Sequence, residues 1–196
     1  MEFRKEDFAE ASALWAEWNS KINVVSRKDI DSLFEHHILH SLAIARYLEG
    51  EDVAGDSFID VGTGGGFPGV PLAMALPECS FTLCDSIRKK IKVASAVSEG
   101  LGLKNVKCLN CRAEDIKEEF DWVVSRAVTS LSNFYPWVRG KYRKGILYLK
   151  GGDVEAEISE LCARCRIDRS KISVQPISDW TEDEYYKEKY VVRISR

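Results

Sequence analysis

The stretch that most constrains this chain is Phe58-Ile59-Asp60-Val61-Gly62-Thr63-Gly64-Gly65-Gly66-Phe67-Pro68-Gly69. Residues 58–61 form an apolar run of the length of a buried strand. A glycine-rich turn follows, and residues 68–76 read as a helix stopped by Pro77. Proline is tolerated in a first helical turn because the amide it lacks has no partner there. Strand, tight turn and helix in that order bring backbone amides close to a ligand in an α/β sheet. Two ligand classes fit. Gly64-x-Gly66-x-x-Gly69 matches the dinucleotide fingerprint, and Gly62-x-Gly64-x-Gly66 matches the loop that holds S-adenosyl-L-methionine (SAM). Asp60 favours SAM, because a carboxylate there repels a pyrophosphate but suits the ammonium of a methionine moiety or a network beneath it.

The rest of the chain supplies a sheet for this loop. Residues 80–84 read as a second strand ending at Asp85, where a carboxylate can accept from ribose hydroxyls or cap the helix that follows. Residues 87–101 form a basic helix ended by Gly102. Strands follow at 105–110, 120–125 and 145–150, with helices at 131–138, interrupted by Pro136, and at 153–165. Residues 171–177 and 190–195 read as two closing strands. Strands alternating with helices mean a doubly wound, mostly parallel sheet, with ligands at the carboxyl ends of its strands. The two closing strands without an intervening helix suit the methyltransferase version of that sheet, seven-stranded and Rossmann-like.

Ahead of the sheet lies a helical extension, residues 1–50, with the larger unit at 51–196. Phe8, Ala11, Trp15, Trp18 and Ile22 fall near helical spacing and predict a helix over 5–22 with its tryptophans in the core. Residues 19–26 connect it to a second helix. Ser26-x-x-Asp29 resembles a capping box for that helix, which runs from about residue 30 to 47 or 48 and carries His36, His37 and His40. No glutamate completes a zinc-protease pattern beside these histidines, and the expectation is no metal. Two Cys-x-x-Cys pairs, 108/111 and 162/165, are read as reduced, mostly buried thiols. Positions 108 and 111 fall on a strand end, where residues three apart point to opposite faces.

Composition sets few further limits. No apolar run approaches the ~20 residues a bilayer span requires, and the amino terminus has no signal-peptide character, so the expected compartment is the cytoplasm. A formal charge of −3 excludes a uniformly basic surface, though not a local one. Arg88, Lys89, Lys90 and Lys92 form one basic cluster, and Arg139, Lys141, Arg143 and Lys144 another.

Together these residues resemble the bacterial 16S ribosomal RNA guanine-N7 methyltransferases, the glucose-inhibited division protein B family. The resemblance rests on Asn23-Val24-Val25-Ser26, His37-Ile38-Leu39-His40-Ser41-Leu42, the glycine loop through Gly-Phe-Pro-Gly, Asp85-Ser86-x-x-Lys89-Lys90, Arg112-Ala113-Glu114, Ser125-Arg126-Ala127-Val128 and Lys150-Gly151. It implies SAM as cofactor, with Gly62 and Phe67 beside the methionine and sulfonium, Asp85 facing the ribose, Ala113 and Glu114 bordering the adenine, and Arg126 at the mouth. The expected cofactor set is Asp60, Gly62, Thr63, Gly64, Gly66, Phe67, Asp85, Ser86, Ala113, Glu114 and Arg126. Arg88, Lys89, Lys90 and Lys150 are the expected RNA contacts. The implied partner is 16S rRNA or the small ribosomal subunit, engaged by a monomer. Many family members carry Asp where this chain has His40, which supplies no fixed negative charge. Other expectations compatible with the loop or the basic clusters are a methyltransferase for another substrate, a nicotinamide oxidoreductase and a non-enzymatic RNA-binding module.

Overall fold

The computed structural model describes residues 2–26 and 28–196. Seven strands form one sheet: β1 (Ser57–Val61), β2 (Ser80–Cys84), β3 (Val106–Leu109), β4 (Phe120–Arg126), β5 (Tyr142–Gly151), β6 (Ile172–Pro176) and β7 (Lys189–Ser195). Their order is β3-β2-β1-β4-β5-β7-β6. The first five are parallel, and β7 runs antiparallel between β5 and β6. This is the doubly wound, seven-stranded arrangement expected from the sequence. Because the order reverses between β1 and β4, the crevice beyond their carboxyl ends is the natural ligand position.

Strand alternation divides the core. Phe58, Phe81 and Trp122 point to the face covered by α1 (Ala9–Lys21), α2 (His40–Tyr47), α3 (Gly69–Ala75) and α4 (Arg88–Gly100), whereas Ile59, Val61 and Val123 point to α5 (Leu131–Val138) and α6 (Val154–Cys165). The same alternation turns Asp60, fully buried, toward α3. Cys108 and Cys111 pack against opposite faces, as their spacing requires. Only Cys79 and Cys84 are buried; the other four thiols are half-buried, which corrects the expectation of mostly buried cysteines.

The amino-terminal extension shares the core of the sheet. Phe8, Trp15, Phe34, Ile38 and Leu42 belong to the same apolar cluster as Phe58 and Trp122. Trp15 is wholly buried. Burying its ring stabilises the fold by up to roughly 5 kcal/mol, at about 25 cal/mol per Å² over ~200 Å². No helix among the described residues is long and apolar enough to cross a membrane.

Two local expectations are corrected. The second helix is not one uniform α-helix: a 3₁₀ turn at Ile30–Ser32 leads into a π-helical turn at Phe34–Leu39 and then α2. Asp29 does not cap it, because its carboxylate lies between two imidazoles, 2.6 Å from His36 Nδ1 and 2.6 Å from His37 Nε2. Pro136 does not interrupt α5. The carbonyl its missing amide leaves free, that of Ser132, accepts from the Cys165 thiol at 3.6 Å.

Candidate functional site

A cleft of about 370 Å³ opens at the carboxyl ends of β1, β2 and β4. The glycine loop supplies Gly62, Thr63, Gly64, Gly65 and Phe67, and the turn after β2 supplies Asp85, Ser86 and Ile87, with Lys90 from α4. Arg112, Ala113 and Glu114 follow β3, and Arg126, Ala127 and Val128 close β4. Nine of the eleven expected cofactor residues therefore meet in one place. Asp60 and Gly66 do not line it. A Cβ at Gly66 would stand 2.7 Å from Val70, so that glycine serves the close approach of the loop to α3. Val24, Val61, Cys84, Cys111 and Trp137 also line the cleft and were not anticipated. Val24 comes from the extension, some forty residues before the loop, where no local pattern announces it.

Five of the six amides from Gly62 to Phe67 are bonded within the protein. Gly62 and Thr63 both donate to the Cys84 carbonyl (2.9 and 3.0 Å), Gly66 and Phe67 to the Thr63 carbonyl (2.9 Å each), and Gly64 to Asp85 Oδ2 at 3.0 Å. An anion cradle needs several free amides, and among the described residues from Gly62 to Phe67 only the Gly65 amide is left without such a partner. The turn therefore has few N–H groups to offer a ligand, which weakens the case for a pyrophosphate. Asp60 lies beneath the loop, where its Oδ2 accepts from Thr63 Oγ1 at 2.6 Å and from the Gly69 amide at 2.8 Å. Its Oδ1 is buried with no partner, and burial pushes its pKa up to about 7. Of the two roles foreseen for Asp60, the network beneath the loop is the one it occupies. Asp85 lines the cleft and is a turn aspartate before α4, its Oδ1 accepting from the Ile87 amide at 2.7 Å.

Arg126 lines the cleft, its guanidinium 5.1 Å from the centre of the Phe67 ring. Among the described residues no carboxylate pairs with it directly. It donates to the His36 carbonyl at 3.2 Å and to His37 Nδ1 at 2.8 Å, while His37 Nε2 donates to Asp29. The π-helical turn presents those groups, a use such turns often have at functional sites. Burial, then the Arg126 charge, lowers the His37 pKa, so a neutral imidazole bridges the carboxylate and the guanidinium. Ser125 Oγ donates to the Val61 carbonyl at 2.7 Å, tying the ends of β4 and β1 together. The Tyr148 hydroxyl accepts from the Val128 and Thr129 amides, each at 3.1 Å, and so fixes the segment that follows Arg126.

The family model described as rRNA small subunit methyltransferase G matches residues 4–182. The chain belongs to that family. A ribosomal RNA small subunit methyltransferase G from Flavobacterium psychrophilum is 48% identical over 195 residues, covering 95% of this chain and 88% of its own. The protein of that name from Bacteroides fragilis is 43% identical, with 99% and 94% covered. Among solved structures, magnesium protoporphyrin IX methyltransferase from Synechocystis with bound SAM superposes with a TM-score of 0.67 at 14% identity, covering 97% of this chain and 94% of that one. At that identity the likeness is one of fold. Family membership makes the chain a SAM-dependent methyltransferase.

The residues present fit that cofactor. Ile87 and Val128, the large apolar side chains left exposed among the described residues at 48% and 36%, both line the cleft and give it apolar surface for a ligand. A Cβ at Gly64 would meet nothing within 4 Å, so that glycine borders open space. The expected RNA contacts fall in three places. Lys90 lines the cleft and the groove beside it, Arg88 and Lys89 line only that groove, and Lys150 sits elsewhere. Lys150 is not a free surface ammonium: it pairs with Glu157 at 2.8 Å and donates to the Thr129 carbonyl at 3.2 Å.

Proposed function

We propose that this family member methylates N7 of a guanine in 16S rRNA, using SAM, on the small ribosomal subunit or an assembly intermediate of it, as a cytoplasmic monomer. The observation that carries this is the cleft itself, a glycine loop tied to the end of β2 and an aspartate-anchored turn together with an arginine held without a carboxylate, in a chain matched to the family over residues 4–182.

When bound, SAM supplies a methyl group already activated on a sulfonium, which the in-plane lone pair of guanine N7 accepts with no proton to remove. The chain then has to position the two partners and exclude water, and the reaction calls for no general base. Gly62, Thr63, Gly64 and Phe67 hold the methionine end, Asp85 and Ser86 the ribose, and Ala113, Glu114 and Ile87 the adenine. The Ala113 carbonyl accepts from Lys141, which keeps that segment in place. Arg126, oriented by His37, governs the mouth through which the base enters. Guanine N7 lies on a groove edge, so the target is presented from an opened or incompletely folded RNA loop.

Mass-spectrometric mapping of N7-methylguanine in 16S rRNA from cells with and without the gene tests the reading directly. A single methylation lost with the gene and restored by the purified chain plus SAM is expected; identical maps would overturn it. Thermal stabilisation by SAM and not by a nicotinamide dinucleotide separates it from an oxidoreductase.

A further inference from the structure

A second cleft adjoins the first. It has a volume of about 300 Å³ and is bounded by His40, Arg126, Ala127, Lys150, Tyr185 and Lys189. Arg126 and Ala127 belong to both clefts. Ala127 is held at φ +53°, a left-handed conformation uncommon for a residue with a side chain and one that gathers at functional sites. The second cleft sits at the ends of β4 and β5, on the same carboxyl edge of the sheet as the first.

Its walls have opposite polarities. Arg126 keeps guanidinium donors beyond those bonded to His36 and His37. The Lys189 ammonium is held 5.1 Å from the centre of the Tyr185 ring, and that ring is fixed from behind by stacking on His36 at 3.8 Å. His40 is the exception among these donors. The residue is 6% exposed, its ring is hydrogen-bonded to the His36 carbonyl, and its Nε2 is buried with no partner. Burial, then the Arg126 and Lys189 charges, drives its pKa well below the ordinary value. The imidazole is therefore neutral, with its proton on Nδ1 and a lone pair on Nε2.

Guanine has the matching order of groups around its rim: N7 and O6 accept, while N1–H and the N2 amino group donate. With N7 toward the side on which the two clefts adjoin, O6 comes beside the Arg126 and Lys189 donors, and the N–H groups come to the unpaired imidazole nitrogen. Adenine would oppose those donors with an amino group. Resting on the proposed guanine-N7 activity, we infer that the second cleft is the nucleobase subsite, in which Arg126 and Lys189 read O6 and His40 Nε2 accepts from the Watson–Crick edge of the target guanine.

The test uses the purified full chain, SAM, and small subunits from cells lacking the gene. His40→Asn keeps an N–H near the Nδ1 position and removes the acceptor; His40→Gln keeps a carbonyl oxygen near the Nε2 position. His40→Asn is expected to lower kcat/KM roughly 10-fold or more, largely through KM for the subunit, as when a buried polar contact to the substrate is lost. His40→Gln should recover most of that loss, and SAM affinity by calorimetry should be unchanged in both. Equal loss in both variants, or full activity in His40→Asn, would overturn the inference. Lys189→Met, which keeps the aliphatic stem, should raise the subunit KM without moving SAM affinity, and it decides the matter if the His40 variants fail to fold; an unchanged KM there counts against the subsite. No N7-methylguanine from the unmutated protein that still binds SAM would overturn the functional reading and this subsite with it.

Discussion

The indole N–H of Trp15 donates to the Gly65 carbonyl at 2.7 Å, fifty residues away in sequence and inside the core. The same ring stacks on Phe67 with centroids 4.3 Å apart. The amino-terminal extension thus holds the glycine loop through its Gly65 carbonyl and its Phe67 ring. Trp15→Phe keeps most of the packing and leaves the Gly65 carbonyl unpaired, a loss of about 1–3 kcal/mol. Denaturant unfolding should show that loss, and SAM affinity measured by calorimetry should weaken with it. A variant with unchanged stability would mean the loop does not depend on this bond.

The glycines of the loop separate folding from binding. A Cβ at Gly62, which has φ +73°, would lie 2.5 Å from Val128 Cγ2, so Gly62→Val damages the fold as well as the cleft. Gly64 has φ +58° and open space around it. Gly64→Ala should cost the fold only about 1–2 kcal/mol for its left-handed backbone. SAM affinity should fall at least roughly 10-fold, since one misplaced methyl-sized group in a fitted pocket is of that order. Retained SAM affinity in a folded Gly64→Ala would refute the placement of the cofactor against this loop.

Asp60 makes stability depend on pH with a definite sign. Its pKa in the fold, about 7, lies above that of an unfolded aspartate, so the folded state holds the extra proton. The contribution is fully present below about pH 4 and is lost as pH rises through about 7. His37 and His40 act in the other direction: their pKa values are lowered, and their contribution is lost as pH falls below the ordinary histidine value. Comparing Asp60→Asn with the unmutated chain isolates the first effect. The difference in unfolding free energy between the two should shift in favour of Asp60→Asn from pH 5 to pH 8, and a constant difference would show that Asp60 ionises normally.

The sheet was legible because parallel strands are continuous apolar runs, and those of β1, β2 and β4 stand between clear turn residues. The cleft was legible where its residues follow strand ends: Asp85, Ala113 and Arg126 each sit at the position the fold reserves for ligands. Partnerships across long separations were not. Ser26-x-x-Asp29 has the local form of a cap, yet two histidines seven and eight residues on take the carboxylate. Lys150 looked like a free cation until α6 folded back to bring Glu157 against it. Trp15 was correctly expected in the core, but nothing in its helical stripe indicated the carbonyl it binds.

Asp29 acts on the cleft without touching it. Removing its carboxylate in Asp29→Ala leaves His37 free to reverse its tautomer, which would point an N–H at the Arg126 guanidinium and turn it away. Catalysis is sensitive to such shifts, with a 1 Å misplacement costing up to ~100-fold. Asp29→Ala should lower kcat for methyl transfer by roughly 10–100-fold, with SAM binding within a few-fold of normal. Unchanged turnover would show that Arg126 needs no orientation from the extension.

The groove beside α4 gives a prediction about salt. Lys21, Arg88, Lys89, Lys90 and Lys92 line it, no carboxylate does, and Ile87 and Lys90 make it continuous with the cofactor cleft. A phosphodiester strand following the groove would be led to the methyl donor. Each phosphate contact to a single strand adds about 0.7 to the slope of log K against log salt. Replacing Arg88 and Lys89 together by alanine should therefore reduce the slope for RNA binding by roughly 1.4, the sum of two such contacts, measured by filter binding from 50 to 200 mM salt. Neither residue lines the cofactor cleft, so SAM affinity should stay constant. An unaltered slope with unaltered affinity would place the RNA path elsewhere on the surface, whereas an unaltered slope with affinity lowered by one factor at every salt concentration would point to a change in fold and not to lost phosphate contacts.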